Sequence, residues 1–384
     1  MTTANLGRPA ANQPAAPLAA GAAAGPGAGA PPVGAAALPV AAAPSATAVS
    51  NTAPPLAGAA TSAAASKVGA APDVSPHSPE TGRMRRLLGP FHVTGVFWYR
   101  FHAWGARSWP ASCHWMVISF FTTFFFFTLF NIRRAVAANL VPVLGPCGFW
   151  RRQARIFRTF WNFAWCLTER YERLVSDHPF RLEADGELWR ALSESGKGMI
   201  LVTAHLGNWE VGSLLPAARE ARAVHVVREA EADPRAQEYI SGLIARRAGG
   251  LYTTHFAEDP RLGLELLAAL RRGEMVALQG DRPRSAGRVS AQSLFGRSFP
   301  LPIGPAALAR AAGVPLVPVF VVREGRRRYR CELRPPIEVP STADRDGDLG
   351  GALRRFAAEV EGAIARRPHQ WYCFRKLWPD QAPR

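Results

Sequence analysis

The chain has 384 residues, enough for one large domain with appendages or two of ordinary size, so it is no small stapled scaffold. Forty-six basic against 29 acidic residues give a formal charge of +17, carried almost wholly by arginine, since the lysines are Lys67, Lys197 and Lys376. Such a surface suits anionic partners, but the basic residues are spread through strand and helix patterns without a helix-turn-helix, zinc or RNA-binding motif, which argues against nucleic acid.

Residues 1–82 are dominated by Ala, Pro, Gly, Ser and Thr without periodicity and bury too little to offset the entropy of ordering, so a disordered tail is expected. The start lacks the basic region and compact apolar core of a signal peptide. Segment 83–150 is expected to anchor the protein in a membrane. Residues 111–130 contain His114 as their one readily titrating side chain and end in a run of phenylalanines. As a helix they would extend about 30 Å, the thickness of bilayer hydrocarbon. Trp98, Tyr99, Trp104, Trp109 and Trp115 cluster before and at its start like an interfacial belt. A helix lying in one leaflet and a buried core helix are the other readings, and the flanking pairs Arg100/Arg107 and Arg133/Arg134 leave orientation tied.

A domain over 151–384 follows. Phe157, Phe160, Trp161, Ala164, Trp165, Thr168, Tyr171 and Leu174 recur at three- and four-residue steps, predicting an amphipathic helix over 151–175. Strands are expected at 199–205, 223–228, 275–281, 314–324 and 328–333, with helices after Gly207 and at 234–248, 260–272, 305–312 and 349–366. This alternation predicts an α/β domain with a mainly parallel sheet flanked by helices, its ligands at the carboxyl ends of the strands.

His205 ends the first of these strands, in AHLGNWE (204–210), where Gly207 permits a tight turn and Glu210 follows five positions on. A carboxylate reaching the far ring nitrogen would fix the tautomer and let the other nitrogen take a proton from a hydroxyl. The alternative is a structural histidine. Asp281 and Arg282 also end a strand and should lie near His205, either at the site or in a turn closed by Pro283. Arg228 likewise follows a strand, to meet a phosphate or to pair with Glu229 or Glu231. Arg284, Arg288 and Arg297 extend a basic rim towards FGRSFPLPIG, whose Gly296, Pro300, Pro302 and Gly304 suit a close loop over a bound ligand. Trp371 is expected to pack the chain's end against the core.

AHLGNWE resembles the active-site block of the bacterial lipid A biosynthesis acyltransferases, within the wider His-x4-Asp/Glu glycerolipid acyltransferases. GVFWYRF (95–101), RRAVAANL (133–140), GDRP (280–283), LFGRSFPLPIGPAALARAAGVPLVP (294–318) and RPHQWYCF (367–374) are similar to that family's blocks and stand in its order, over about residues 90–378. The resemblance implies transfer of a fatty acyl group from a thioester on acyl carrier protein or coenzyme A to a hydroxyl of a phosphorylated glycolipid. It implies His205 as general base, Glu210 as its orienting partner, and no further cofactor. Backbone amides near Gly207 and Asn208 would then meet the oxyanion, with the catalytic domain on the cytoplasmic side of the inner membrane. The long Ala/Pro-rich leader, and YCF where a second tryptophan is common, depart from the family pattern. They leave open whether the acceptor is a lipid A precursor or another glycolipid, such as a mannosylated phosphoinositide. A metal-dependent hydrolase using His205, Asp281, His225 and His255 is the competing function, although no histidine pair has the spacing of a zinc helix.

Overall fold

Helices lead the described part of the chain: α1 (Val96–Ser108), α2 (Ala111–Thr128), α3 (Phe130–Leu144) and α4 (Phe149–Val175). The computed structural model describes residues 95–184, 186–213, 222–248, 250–283 and 287–378, so the expected tail at 1–82 and Arg284 lie outside the described residues. The α2 and α3 axes meet at 90°, and among the described residues no single helix is long and apolar enough to cross a membrane. Helix α2 is neither wholly buried nor wholly free. Ile118, Thr122 and Phe126 are buried, Trp115 meets Trp161 of α4 at 4.9 Å between ring centroids, and Phe126 packs on Phe157 and Phe160. The opposite face leaves Met116, Phe120, Phe124 and Phe127 exposed, and Phe130 and Trp150 are exposed as well. The boundary expected at residue 150 lies inside the first turn of α4, a helix that packs on α2 and α3 through an aromatic cluster.

The chain then runs β1 (Arg181–Ala184), α5 (Gly186–Glu194), β2 (Met199–Thr203), α6 (Trp209–Ser213), β3 (Val224–Arg228), α7 (Pro234–Ala248), β4 (Tyr252–Phe256), α8 (Leu262–Arg271) and β5 (Met275–Gln279). A hairpin, β6 (Val289–Leu294) and β7 (Arg297–Pro302), is followed by α9 (Gly304–Ala312), β8 (Leu316–Gly325), β9 (Arg328–Leu333) and α10 (Arg345–Arg366). The main sheet has the order β1-β9-β8-β2-β5-β3-β4, parallel throughout except for the antiparallel β8/β9 pair.

Strand β2 is central, and all five of its residues are buried. Ile200 and Val202 face a core shared with α8, α9 and α10, while Met199 and Leu201 face a second core covered by Leu188, Trp189 and Leu192 of α5. A strand covered on both faces reads as an unbroken apolar run, which is why MILVT carries no polar alternation.

The segment expected to form a loop, FGRSFPLPIG, is instead the turn and second strand of the β6/β7 hairpin. Leu294 pairs with Arg297 across Phe295 and Gly296, both at positive φ, the two-residue turn whose twist matches antiparallel strands.

Candidate active site

The sheet register places the chemistry. Thr203 of β2 lies opposite Gln279 of β5, so residues two positions further on, His205 and Asp281, leave the sheet side by side. His205 Nδ1 lies 2.7 Å from Asp281 Oδ1, and the His205 backbone N–H donates to Oδ2 at 3.0 Å. Burial alone would raise the Asp281 carboxyl. The charge and hydrogen bonds of His205, with the charge of Arg282, outweigh it and bring the group down to about 2. An ionised carboxylate only accepts, so Nδ1 carries the ring proton and Nε2 keeps its lone pair. The ring is partly open to solvent, and Nε2 has no hydrogen-bond partner among the described residues.

Glu210 does not occupy the place expected for it. Its Oε2 meets Arg170 Nε of α4 at 2.5 Å and its Oε1 meets Arg228 of β3 at 2.9 Å. The physical reason is the turn. The Leu206 N–H closes back on Ala204 O, Leu206 bridges Trp371, and Gly207 takes φ +67°, so α6 begins only at Trp209. No helical turn therefore carries residue 210 back over residue 205. Arg228 accordingly pairs with Glu210 rather than with Glu229 or Glu231.

The backbone amides expected to meet an oxyanion are already used: Gly207 N–H donates to Gln370 O at 2.9 Å and Asn208 N–H to Val321 O at 2.8 Å. A Cβ at Gly207 would stand 2.0 Å from Val321 O, so only glycine fits there. The buried Asn208 side chain gives both of its protons to protein, to Cys166 O at 2.9 Å and to the Tyr329 hydroxyl at 3.1 Å. Tyr329 in turn donates to Glu169, a fully buried carboxylate that also accepts from Arg323 Nε at 2.9 Å and from Arg327 N–H at 2.9 Å. Asn208 therefore holds the loop to α4 and β9.

Arg282 donates to Tyr372 O, and its buried Nε has no partner among the described residues. Arg297, at the start of β7, has its guanidinium over the ring of Trp378. Trp371 is buried in the main core, as expected. His225 and His255 form a separate group, 2.8 Å apart and flanked by Glu274 and Glu265. Among the described residues no three His, Cys, Asp or Glu side chains converge as metal ligands would. All five cysteines are free thiols, and burial, outweighing the opposing hydrogen bond to Tyr372, pushes Cys166 up to about 12.

An apolar cleft lies against the sheet on the α5 side, lined by Leu201, Thr203, Trp209, Ala277, Val319 and Leu333 among others. Its Thr203 is two residues from His205, so the cleft and the imidazole belong to one end of β2.

This succession of a histidine at the β2 terminus, an acid at the β5 terminus and an Arg-rich flank is accompanied by a match of residues 85–380 to the bacterial lipid A biosynthesis acyltransferases. The chain belongs to that family. It is similar to a phosphatidylinositol mannoside acyltransferase of Mycobacterium tuberculosis strain H37Rv, 25% identical over 185 residues, which are 48% of this chain and 55% of the relative. It is also similar to a phosphatidylinositol mannoside acyltransferase of Mycolicibacterium smegmatis, 23% identical over 247 residues, 62% of this chain and 77% of the relative. The chain thus spans about half the length of the M. tuberculosis relative.

Sequence reasoning placed Asp281 near His205 but gave the orienting role to Glu210. Glu169, Tyr329, Asn139 and Gln370 were missed altogether. The one sequence signal that reached any of them was the family-like pair of blocks RRAVAANL and RPHQWYCF.

Proposed function

We propose that the protein is an O-acyltransferase that moves a fatty acyl group from an acyl thioester to a hydroxyl of a glycolipid. The 2.7 Å contact between His205 Nδ1 and Asp281, with Nε2 left open, carries this reading. Nε2 takes the acceptor's hydroxyl proton as the oxygen attacks the thioester carbon. Collapse of the tetrahedral intermediate breaks the carbon–sulfur bond, and the imidazolium returns the proton to the departing thiolate. Asp281 holds the ring and faces the positive charge that the step places on it. No acyl-enzyme is needed. The apolar sheet-face cleft, which Thr203 helps to line, suits part of the apolar chain, and the arginines at this edge suit a phosphorylated acceptor.

The family favours a lipid A precursor as acceptor, whereas the relatives' names favour a mannosylated phosphoinositide. Both are phosphoglycolipids. The donor is carried by acyl carrier protein or coenzyme A, and the charge of +17 favours the acidic carrier protein. The exposed aromatic face of α2 and α3 supports seating on the inner membrane from the cytoplasmic side, where the free thiols stay reduced.

The test is lipid mass spectrometry of a strain lacking the protein, complemented with wild type or with His205→Ala. One glycolipid should lose an acyl chain, and only the wild type should restore it. An unchanged lipid profile would refute acyl transfer, and restoration by His205→Ala would refute the role of the imidazole.

A further inference from the structure

Asn139 is a buried amide on α3, 2% exposed, far in sequence from every residue of the proposed mechanism. Its side-chain hydrogen bonds to described residues all go to one segment. Nδ2 donates to Cys373 O at 3.1 Å and to Arg375 O at 2.7 Å, and Oδ1 accepts from Leu377 N–H at 3.1 Å. That segment carries Tyr372, whose N–H donates to His205 O at 2.8 Å and whose carbonyl accepts from Arg282. Two residues earlier, Gln370 O accepts from Gly207 N–H, and its side chain grips the Arg323 backbone at both N and O, at 2.8 and 2.7 Å. The 370–377 strap is therefore the outer wall of the catalytic loop, and it holds the neighbours of both halves of the His205–Asp281 pair. Gln370 fastens one end of it to β8, and Asn139 fastens the other to α3.

We infer that Asn139 is a positioning residue for the reaction: by fixing the strap at Cys373 to Leu377 it sets the backbone of His205 and the side chain of Arg282, and so the alignment of the Nδ1 bond to Asp281. The inference rests on His205 and Asp281 being the working pair. It follows from what the amide contacts. Losing it releases two carbonyls and one N–H of the strap, not an apolar contact, and the nearest constraint lost is the peptide group next to Tyr372. A shift of about 1 Å in such a pair costs on the order of a hundredfold in rate.

The test is steady-state kinetics of Asn139→Ala, with palmitoyl-coenzyme A or palmitoyl-acyl carrier protein, whichever supports turnover, and extracted membrane glycolipid as acceptor. Turnover, kcat, should fall by roughly ten- to a hundredfold, with KM for the thioester changed by less than about twofold. The same substitution in an Asp281→Asn background should add little, because the alignment it protects is already lost. An equal further drop in that background, a change confined to KM, or an unchanged kcat would overturn the inference. If Asn139→Ala does not fold, Asn139→Ser, which keeps one donor and one acceptor, must show the same kcat loss in smaller measure. A folded serine variant with wild-type kcat would refute it. Failure of the underlying mechanism is seen separately, as an Asp281→Asn single variant with wild-type turnover.

Discussion

Replacing Asp281 by Asn changes one atom and leaves the volume of the site intact, yet it removes the charge that fixes the ring. Asp281 takes two donors from His205, the ring Nδ1–H and the backbone N–H. An amide can accept with one side only. Either the backbone donor is left facing an NH2 group, or the ring turns over its tautomer so that Nδ1 accepts and Nε2 carries the proton, which makes it useless as a base. The carboxyl is held at about 2 against an ordinary 3.8, a net preference for the ionised form of about 2 kcal/mol. Burial opposes that shift, so the partners supply more. Losing the charged acceptor at Nδ1 costs about 2 kcal/mol, as for a hydrogen bond to an ionised group, on the order of thirtyfold in rate. Adding the tautomer fault, which in a serine-protease triad lowers kcat about ten-thousandfold, sets the range at roughly 30- to 10,000-fold. The assay is single-turnover acyl transfer, with circular dichroism to show the variant folded. Glu210→Gln is the control. It leaves Arg170 and Arg228 without their shared counter-charge and should cost stability on the order of 3–5 kcal/mol, while lowering turnover less than Asp281→Asn. An active Asp281→Asn beside an inactive but folded Glu210→Gln would refute the assignment.

Gly207→Ala should destabilise by more than about 3 kcal/mol in urea unfolding, since the added Cβ meets Val321 O at 2.0 Å in a left-handed backbone; a wild-type midpoint would contradict the loop geometry. Burial, then Arg158 and Arg155, lower His369 from 6.5 to about 4, so the unfolded chain takes up its proton first, and stability present above pH 6.5 is lost as pH falls towards 4. After solvent screening of this half-exposed ring the effect is about 1 kcal/mol, and His369→Asn should flatten the urea midpoint by that amount across that window and nowhere else. Changing Phe120, Phe124 and Phe127 together to Ser removes three exposed rings, each contributing about 2 kcal/mol to insertion, and should abolish sedimentation with phosphatidylglycerol vesicles. Binding of the wild type should survive a high-salt wash, and release by salt alone would show that the contact is electrostatic.

The strands at the sheet's centre were legible because both of their faces are buried and the apolar run is continuous. The edges were not. Strand β4, with burial only partial along YTTHF, and β6, alternating exposed and half-buried residues, lack the apolar density that marks a strand. At the site, the strand-end histidine and aspartate could be read singly. Their pairing depends on the β2/β5 register, which joins residues 76 apart and which no local spacing reveals. The His-x4-Glu spacing suggested a helical return that the left-handed Gly207 prevents. Asn139 is an ordinary helix residue until the strap lies across it.

The catalytic loop's ties reach from Cys166 to Tyr372, and the amide that fixes the strap lies 234 residues from the carbonyl it holds. Each tie closes a long stretch of chain, an entropy cost met only after the central strands have paired. No helix or hairpin on the way to the native state contains a working fragment of the site. Upon dilution from denaturant, helical signal should return early and tryptophan burial later, and acyl transfer should reappear only when the strap docks, which makes turnover itself the reporter of the last folding step.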